Sequence, residues 1–160
     1  MDTKLSKSAQ RVQHILEKKG FYFNVLELPE STRTAQDAAE AVDCSLSQIA
    51  KSIIFKNAAT NRPILAVVSG ANRADVSKLT DLVNGTVENV DADYVRRRTG
   101  FAIGGVSPVG HTEDVQTFID EDLLAFDEIW AAAGTPNTLF MLHSDDLIVL
   151  TGGTVVNLKE

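Results

Sequence analysis

The centre of the predicted fold is residues 52–68, which read SIIFKNAATNRPILAVV. The runs at 52–55 and 64–68 are apolar and rich in β-branched side chains, whereas residues 57–63 between them contain the Asn and Pro residues that favour turns. Strands that are apolar on both faces are typical of the interior of a sheet. The stretch therefore predicts a β-hairpin at the centre of a sheet.

On the N-terminal side of this hairpin, the sequence predicts helices and one strand. Apolar residues at helical spacing, from Leu5 to Leu16, predict a first helix that ends at Gly20, and alternation over residues 21–25 predicts a strand. Thr34 and Ser45 each stand three residues before Asp37 or Gln48, which is the spacing of a capping box, so a helix is expected after each.

On the C-terminal side, short helices alternate with short strands. Helices are predicted after Asp75, over residues 91–98 and after Ser144 as a cap, and strands at 85–90, 115–119, 129–133, 139–142 and 155–158. The spacing is not that of regular βαβ units. Residues 1–160 are therefore predicted to form a single α+β domain with a mixed, curved or partly closed central sheet and surrounding helices.

Composition limits the class of protein. The 160 residues are 44% hydrophobic and 23% charged, which is typical of a globular chain. Their apolar runs are far shorter than the roughly 18 residues of a membrane span, and the N-terminus lacks the apolar stretch of a signal peptide, so a cytoplasmic protein without a membrane segment is predicted. One cysteine and three scattered histidines favour neither a disulfide nor a metal site, and no cofactor is predicted.

The charge distribution restricts where a polyanion could bind. The net charge is −7, but residues 1–110 hold 14 of the 15 Lys and Arg residues against 12 acids. Arg96, Arg97 and Arg98 form the densest basic run and are a candidate contact for phosphates. A solvated helix end explains the same run, because cations are favourable near a helix C-terminus.

Two features are candidates for chemistry. The loop at residues 104–110, GGVSPVG, could bring backbone N–H groups to an anion or oxyanion, or could be a tight turn between strands. Lys51 precedes an apolar strand and could hold a phosphate or a developing negative charge, or could extend its ammonium from the strand edge into water. His111, beside the loop, is a candidate proton carrier.

Three segments together carry a family resemblance: TAQDAA at 34–39, IAKSIIF at 49–55 and TGFAIGGVSPVG at 99–110. They resemble the YbaK family, the free-standing relatives of the editing insertion of bacterial prolyl-tRNA synthetase, and the likeness runs nearly end to end. The resemblance implies a mixed α+β fold, no metal, an essential lysine at Lys51 and a substrate site lined by the loop from Gly104 to Pro108.

On this basis Lys51, Gly104 and Gly105 are predicted to be catalytic. Residues predicted to bind substrate are Thr34, Ser107, Pro108, His111 and Gly134. Some relatives have Ser-x-Gly where this chain has Ala132-Ala133-Gly134, so a role that depends on that serine does not carry over.

The implied function is deacylation in trans, the hydrolysis of the ester of a mischarged tRNA, with the tRNA for proline as the expected substrate. Prolyl-tRNA synthetase or an elongation factor is the expected protein partner. Two alternatives belong to other classes: a non-catalytic module that binds tRNA 3′ ends or a synthetase, and an unrelated hydrolase of small esters. The sequence does not fix the amino acid that is removed.

Overall fold

A computed structural model describes residues 5–160, which form five α-helices and eight strands. The helices are α1 (Lys7–Lys18), α2 (Ala35–Val42), α3 (Val76–Val83), α4 (Ala92–Thr99) and α5 (Ser144–Thr151). The strands are β1 (Val25–Glu27), β2 (Ile49–Asn57), β3 (Arg62–Ser69), β4 (Val87–Asn89), β5 (Gln116–Asp120), β6 (Glu128–Ala132), β7 (Thr138–His143) and β8 (Thr154–Val156). Short 3₁₀ helices lie at Leu46–Gln48 and Glu121–Ala125. Within this part of the chain, no helix has the length and apolar character that a membrane crossing requires.

The predicted hairpin is confirmed and is longer than the sequence indicated. Strands β2 and β3 pair antiparallel from Ala50 with Ser69 to Asn57 with Arg62. β3 also pairs parallel with β5, so it has neighbours on both edges, and all of its residues except Arg62 are buried. A continuous apolar run in the sequence therefore became a strand that is covered on both faces.

All eight strands belong to one mixed sheet. Its order is β1-β7-β6-β2-β3-β5-β8, and the short strand β4 pairs with β2 in addition. The sheet combines parallel pairs, such as β2 with β6, with antiparallel ones, such as β6 with β7. The predicted α+β class with a mixed central sheet and surrounding helices is confirmed, and the sheet is open because β1 and β8 end it without meeting.

The pairing of β2 is incomplete along one edge. β6 pairs with Ile49 and Ala50, and β4 pairs with residues 55–57. Among the residues described, no strand pairs with residues 51–54 on that side. The Ser52 hydroxyl lies in this stretch, buried and without a hydrogen-bond partner in the described chain. The sheet therefore has a gap at Lys51.

The helices cover the two faces of the sheet unequally. The larger core cluster joins α1, α4 and α5 through residues such as Leu16, Val95 and Leu147, and Phe101 is fully buried in it. On the opposite face, α3 packs through Leu79, and α2 packs through Ala38 and Ala39. Helix α2 thus lies on the opposite face of the sheet from the segment that contains Phe101.

Two predicted element boundaries are wrong for local reasons. Residues 21–24 do not form a strand, because the Gln13 side chain occupies the hydrogen-bonding groups of the backbone there. It donates to the Phe23 carbonyl at 2.7 Å and accepts from the Val25 N–H at 2.9 Å. Ser144 does not cap α5 but is its first residue, and its hydroxyl donates to the Phe126 carbonyl. The caps at Thr34 and Asp75 are confirmed, each accepting from first-turn N–H groups.

Helix α1 holds the segment from Thr99 to Gly110 through one side chain. The Arg11 guanidinium donates to the carbonyls of Thr99 and Gly110, each at 2.9 Å, and lies 4.6 Å from the centre of the Phe101 ring. Hydrogen bonds from a charged donor are stronger than neutral ones. The loop that contains GGVSPVG is therefore fixed at both of its ends from α1.

We expect Arg11→Met to lower the free energy of unfolding by about 2 kcal/mol or more, because two partly buried carbonyls lose a charged donor. Arg97→Met is the control, since Arg97 is exposed and its one ion pair within residues 5–160 is with Asp93, and such a pair contributes about 0.2 to 1 kcal/mol. Urea unfolding followed by circular dichroism measures both. Equal losses would show that Arg11 does not fix the loop.

Candidate functional site

A cavity of about 300 Å³ opens at the gap in β2. Residues 50–53 of β2 form one wall, α2 and the segment before it form another, and the loop after Ile103 forms the third. Most lining side chains are small or aliphatic: Ala35, Ala38, Ile49, Ile53, Ile103, Val106, Ala132 and Leu139. Such a cavity accommodates a small apolar group.

Lys51 is the basic group on the β2 wall. Its ammonium donates to the Asn72 carbonyl at 2.6 Å, which leaves two of its three protons for other acceptors. Burial lowers the pKa of Lys51, the nearby Arg73 cation lowers it further, and the Asp120 carboxylate opposes both. Lys51 therefore lines the cavity as a partly desolvated cation, the form in which its charge acts most strongly on a ligand.

The N-terminus of α2 faces the same cavity. Thr34 is its N-cap, and the Thr34 hydroxyl accepts from the Asp37 N–H at 3.0 Å. Thr34 and Ala35 both line the cavity, so the first turn of the helix contributes unpaired N–H groups and a positive partial charge. Arg33, which precedes the cap, is exposed at the mouth. These groups favour an anionic ligand.

Two residues of the glycine loop line the cavity and have a backbone N–H group without an acceptor in the described chain. Gly104 has a φ of +89° and lines the wall together with Val106. Within residues 5–160, neither of their N–H groups has an acceptor. The Gly105 N–H differs, because it donates to the Ala102 carbonyl at 3.0 Å. Within the glycine loop, the cavity-lining residues with an unpaired N–H group in the described chain are therefore Gly104 and Val106.

Gly105 has a packing role that explains why it is glycine. A Cβ at this position would lie 2.5 to 2.8 Å from the backbone atoms of Thr135, which is closer than such contacts occur. Its φ does not require glycine. The glycine therefore lets the loop rest directly on the turn at Thr135, and this contact sets the position of Gly104 and Val106.

The other residues predicted to bind substrate lie behind the loop, away from the cavity. Ser107 is fully buried, its hydroxyl accepts from the Val109 N–H at 3.2 Å, and its carbonyl is 2.7 Å from His111 Nε2. Gly134 packs against Ser8 and Phe101, and Pro108 lies beside His111 in a separate depression. The structure thus brings Thr34, Lys51 and Gly104 together at the cavity. Ser107, Pro108, His111 and Gly134 lie behind the loop, where they pack against it.

His111 is largely enclosed by the loop. Burial lowers its pKa, the Ser107 carbonyl opposes this shift, and the Arg11 cation adds to it. A neutral ring can donate from Nε2 to that carbonyl, and it packs edge-on against Phe101 with 6.0 Å between ring centres. These contacts hold the loop and leave His111 no access to the cavity.

The three arginines of α4 also lie away from the cavity. Arg97 pairs with Asp93 at 2.9 Å, and Arg98 pairs with Glu113 at 3.0 Å and lies over the Tyr94 ring. None of the ion pairs in the described chain involves Arg96. Any contact that this run makes with a phosphate is therefore outside the cavity and is limited by its own acidic partners.

Three residues were not predicted from the sequence: Arg33, which lines the cavity, and Asn72 and Asp120, which connect to Lys51 through hydrogen bonds. Arg33 carried a signal, because a cation directly before a helix N-cap is electrostatically unfavourable unless an anion binds there. Asp120 carried a weaker signal, as an acid that ends the apolar strand β5. Asn72 carried none, since its part depends on its backbone carbonyl meeting Lys51.

A family model described as "Aminoacyl-tRNA editing domain" matches residues 29–150. The chain belongs to this editing-domain family. The matched range includes helix α2, the glycine loop and the unpaired stretch of β2.

Two relatives and one solved structure support the editing-domain assignment. "Uncharacterized protein YwhH" of Bacillus subtilis (strain 168) is 32% identical over 124 residues, 78% of each chain. "Putative Cys-tRNA(Pro)/Cys-tRNA(Cys) deacylase EbsC" of Enterococcus faecalis (strain ATCC 700802 / V583) is 26% identical over 78% of this chain and 76% of its own. A crystal structure described as "a putative trans-editing enzyme for prolyl tRNA synthetase" is 49% identical, with a TM-score of 0.93 over 98% of this chain and 99% of that one. The fold of the editing domain thus extends over nearly the whole chain.

We expect Gly105→Ala to destabilise the editing domain by about 1 to 3 kcal/mol, because the added methyl group displaces the loop from Thr135. Gly85→Ala is the matched control, since a Cβ there would meet only the Asn57 side chain at an ordinary 3.5 Å. Thermal unfolding of both variants measures the difference. A Gly105→Ala variant as stable as Gly85→Ala would contradict the packing role.

Proposed function

We propose that this editing domain, comprising residues 1–160, hydrolyses in trans the ester that joins a wrong amino acid to the 3′-terminal ribose of a tRNA. One observation carries the proposal: Lys51 lines one small apolar cavity together with Gly104 and Val106, whose N–H groups have no acceptor within residues 5–160. An aminoacyl ester has a small side chain, a carbonyl that becomes an oxyanion, and a neighbouring phosphate. The cavity offers a complementary group for each of these parts.

In the proposed reaction, the amino-acid side chain enters the aliphatic cavity and the ester carbonyl stays at its mouth. Water adds to the carbonyl carbon, and the Gly104 and Val106 N–H groups stabilise the oxyanion that forms. The bond from the carbonyl carbon to the ribose oxygen then breaks, and the ribose oxygen takes the proton that the water loses. The products are a free amino acid and a tRNA with a free terminal hydroxyl group.

Lys51 and the N-terminus of α2 hold the other end of the substrate in this proposal. Lys51 orients the ester or the terminal phosphate, and Arg33 reaches the same phosphate from the rim of the cavity. Proton transfer falls to the water and to the hydroxyl or amino group of the substrate, since His111 is enclosed behind the loop. The ester is already activated, so positioning and electrostatic stabilisation supply the rate.

For the tRNA, we propose the one specific for proline. This choice rests on the descriptions of two similar proteins, one naming prolyl tRNA synthetase and the other Cys-tRNA(Pro). The chain itself has a net charge of −7, which disfavours strong binding to a whole tRNA. We therefore propose that prolyl-tRNA synthetase or an elongation factor presents the tRNA to the domain in the cytoplasm.

The test is deacylation of a panel of tRNAs charged with alanine, cysteine, serine, threonine or proline by the purified protein. Lys51→Ala is expected to lower the rate on the preferred substrate by about 10²-fold or more, as for the loss of an electrostatic contact to the reacting group. Lys18→Ala, which removes an exposed charge at the end of α1, is expected to keep the rate within about twofold.

Circular dichroism must show that the Lys51→Ala variant is folded. Binding of charged tRNA without hydrolysis would favour a non-catalytic module, and equal turnover of amino-acid methyl esters without tRNA would favour a small-ester hydrolase. A folded Lys51→Ala variant with the wild-type rate would reject the proposed site.

The salt dependence of tRNA binding tests which arginines contact phosphates. Removing one contact with a single strand reduces the slope of log affinity against log salt by about 0.7. We expect this change for Arg33→Ala. For the triple change of Arg96, Arg97 and Arg98 to Ala we expect the loss of about one contact rather than three, because two of them are already paired with acids. An unchanged slope for Arg33→Ala would remove Arg33 from the proposed interface.

A further inference from the structure

Asp120 is a buried acid that the proposed reaction does not use. It ends β5 with 0% of its surface exposed, and no cation in the described chain lies within ion-pair distance of it. Burying a carboxylate is unfavourable unless hydrogen bonds replace its water. Three donors do so: the Ser69 N–H at 3.1 Å and the Asn72 side chain at 2.8 Å reach Oδ2, and the Asp122 N–H at 3.0 Å reaches Oδ1.

Of these donors, Ser69 is the last residue of β3, and Asn72 belongs to the turn that follows it. Asn72 joins this turn to the other acids, because its side-chain Nδ2 contacts Asp120 and also Asp122 Oδ2, the latter at 2.9 Å. Its backbone N–H donates to the Ser69 carbonyl at 2.9 Å, which closes the turn. Asn72 is therefore fixed through both its side chain and its main chain.

The backbone carbonyl of the same Asn72 accepts the Lys51 ammonium at 2.6 Å. A lysine side chain has several rotatable bonds and about 2 kcal/mol of rotamer entropy, so it needs a fixed partner to hold one position. The partner here is itself held by Asp120, from another strand. One continuous set of hydrogen bonds thus runs from the buried acid to the lysine at the cavity.

We propose that Asp120 is a positioning residue for Lys51: its carboxylate fixes Asn72, and the Asn72 carbonyl sets the place of the ammonium at the mouth of the cavity. The catalytic consequence rests on the proposed function, whereas the effect on Lys51 itself does not. Besides holding the turn, the Asp120 carboxylate acts on Lys51 through its charge, which raises the pKa of Lys51 against the effects of burial and of Arg73.

Asp120→Asn and Asn72→Ala test this proposal by different routes. The first keeps the shape of the side chain and removes its charge, and the second removes the amide that joins the turn to Asp120. Lys159→Met is the matched control, because it breaks the 2.9 Å pair between Lys159 and Asp122 and leaves the contact between Asn72 and Asp120 intact.

The first readout is steady-state deacylation on the preferred substrate. We expect Asp120→Asn and Asn72→Ala to lower kcat by about 10- to 100-fold, the size of effect that misplacement of a reacting group produces, with KM within about twofold. Lys159→Met is expected to keep the wild-type kcat. Unchanged kcat in both folded test variants would overturn the proposal, as would an equal loss in the control.

The second readout is the pKa of Lys51, followed by NMR of ¹³C-labelled lysine and assigned with Lys51→Arg. The proposal expects this pKa to fall in Asp120→Asn, because an attractive carboxylate is lost, and to change in Asn72→Ala as well, where Asp120 keeps its charge and only the placement of the ammonium differs. This measurement needs no tRNA. If the wild-type protein deacylates no tRNA, the proposed function fails, and the lysine titration still decides the positioning role. If Asp120→Asn does not fold, kcat of Asn72→Ala decides it.

Discussion

Strand β2 has strand partners at both ends of one edge and none in the middle, and the arrangement of the site follows from this gap. In a complete sheet, a neighbouring strand would occupy the edge beside residues 51–54, where the cavity now lies. Because β6 and β4 each stop short, the edge is closed instead by α2 from one face and by the loop around Gly104 from the other. A central strand thereby forms the wall of a cavity.

The loop that closes this gap has little regular structure, and its position depends on contacts from distant parts of the chain. Arg11 of α1 holds its ends, His111 bonds to the Ser107 carbonyl within it, and Gly105 rests on the backbone at Thr135. Each contact lies behind the loop rather than in the cavity. Residues that resemble catalytic groups in the sequence, such as His111, therefore act on the site through the position of the Gly104 and Val106 donors.

The sequence predicted the features that depend on near neighbours. The central hairpin and the cap at Thr34 follow from a few consecutive residues, whereas Lys51, predicted to stand before the strand, is the third residue of β2. The start of β1 was not predictable in this way, because the Gln13 side chain occupies the backbone groups of residues 23–25. The hydrogen bonds that link Asp120 through Asn72 to Lys51 could not be predicted from the sequence either, because they join three segments that are distant in the chain.

The electrostatics of the site reconcile an acidic protein with the proposed polyanionic substrate. Lys51, Arg33 and Arg73 lie in the first 110 residues, and none of them belongs to an ion pair in the part of the chain described. Most of the net negative charge comes from residues 111–160, which hold ten acids and one base. Repulsion at a distance and attraction at the cavity mouth together favour contact with the tRNA end over contact with the tRNA body. Such a domain would gain affinity from the acylated end alone, and this is the part of the molecule in which a wrong amino acid differs from the right one.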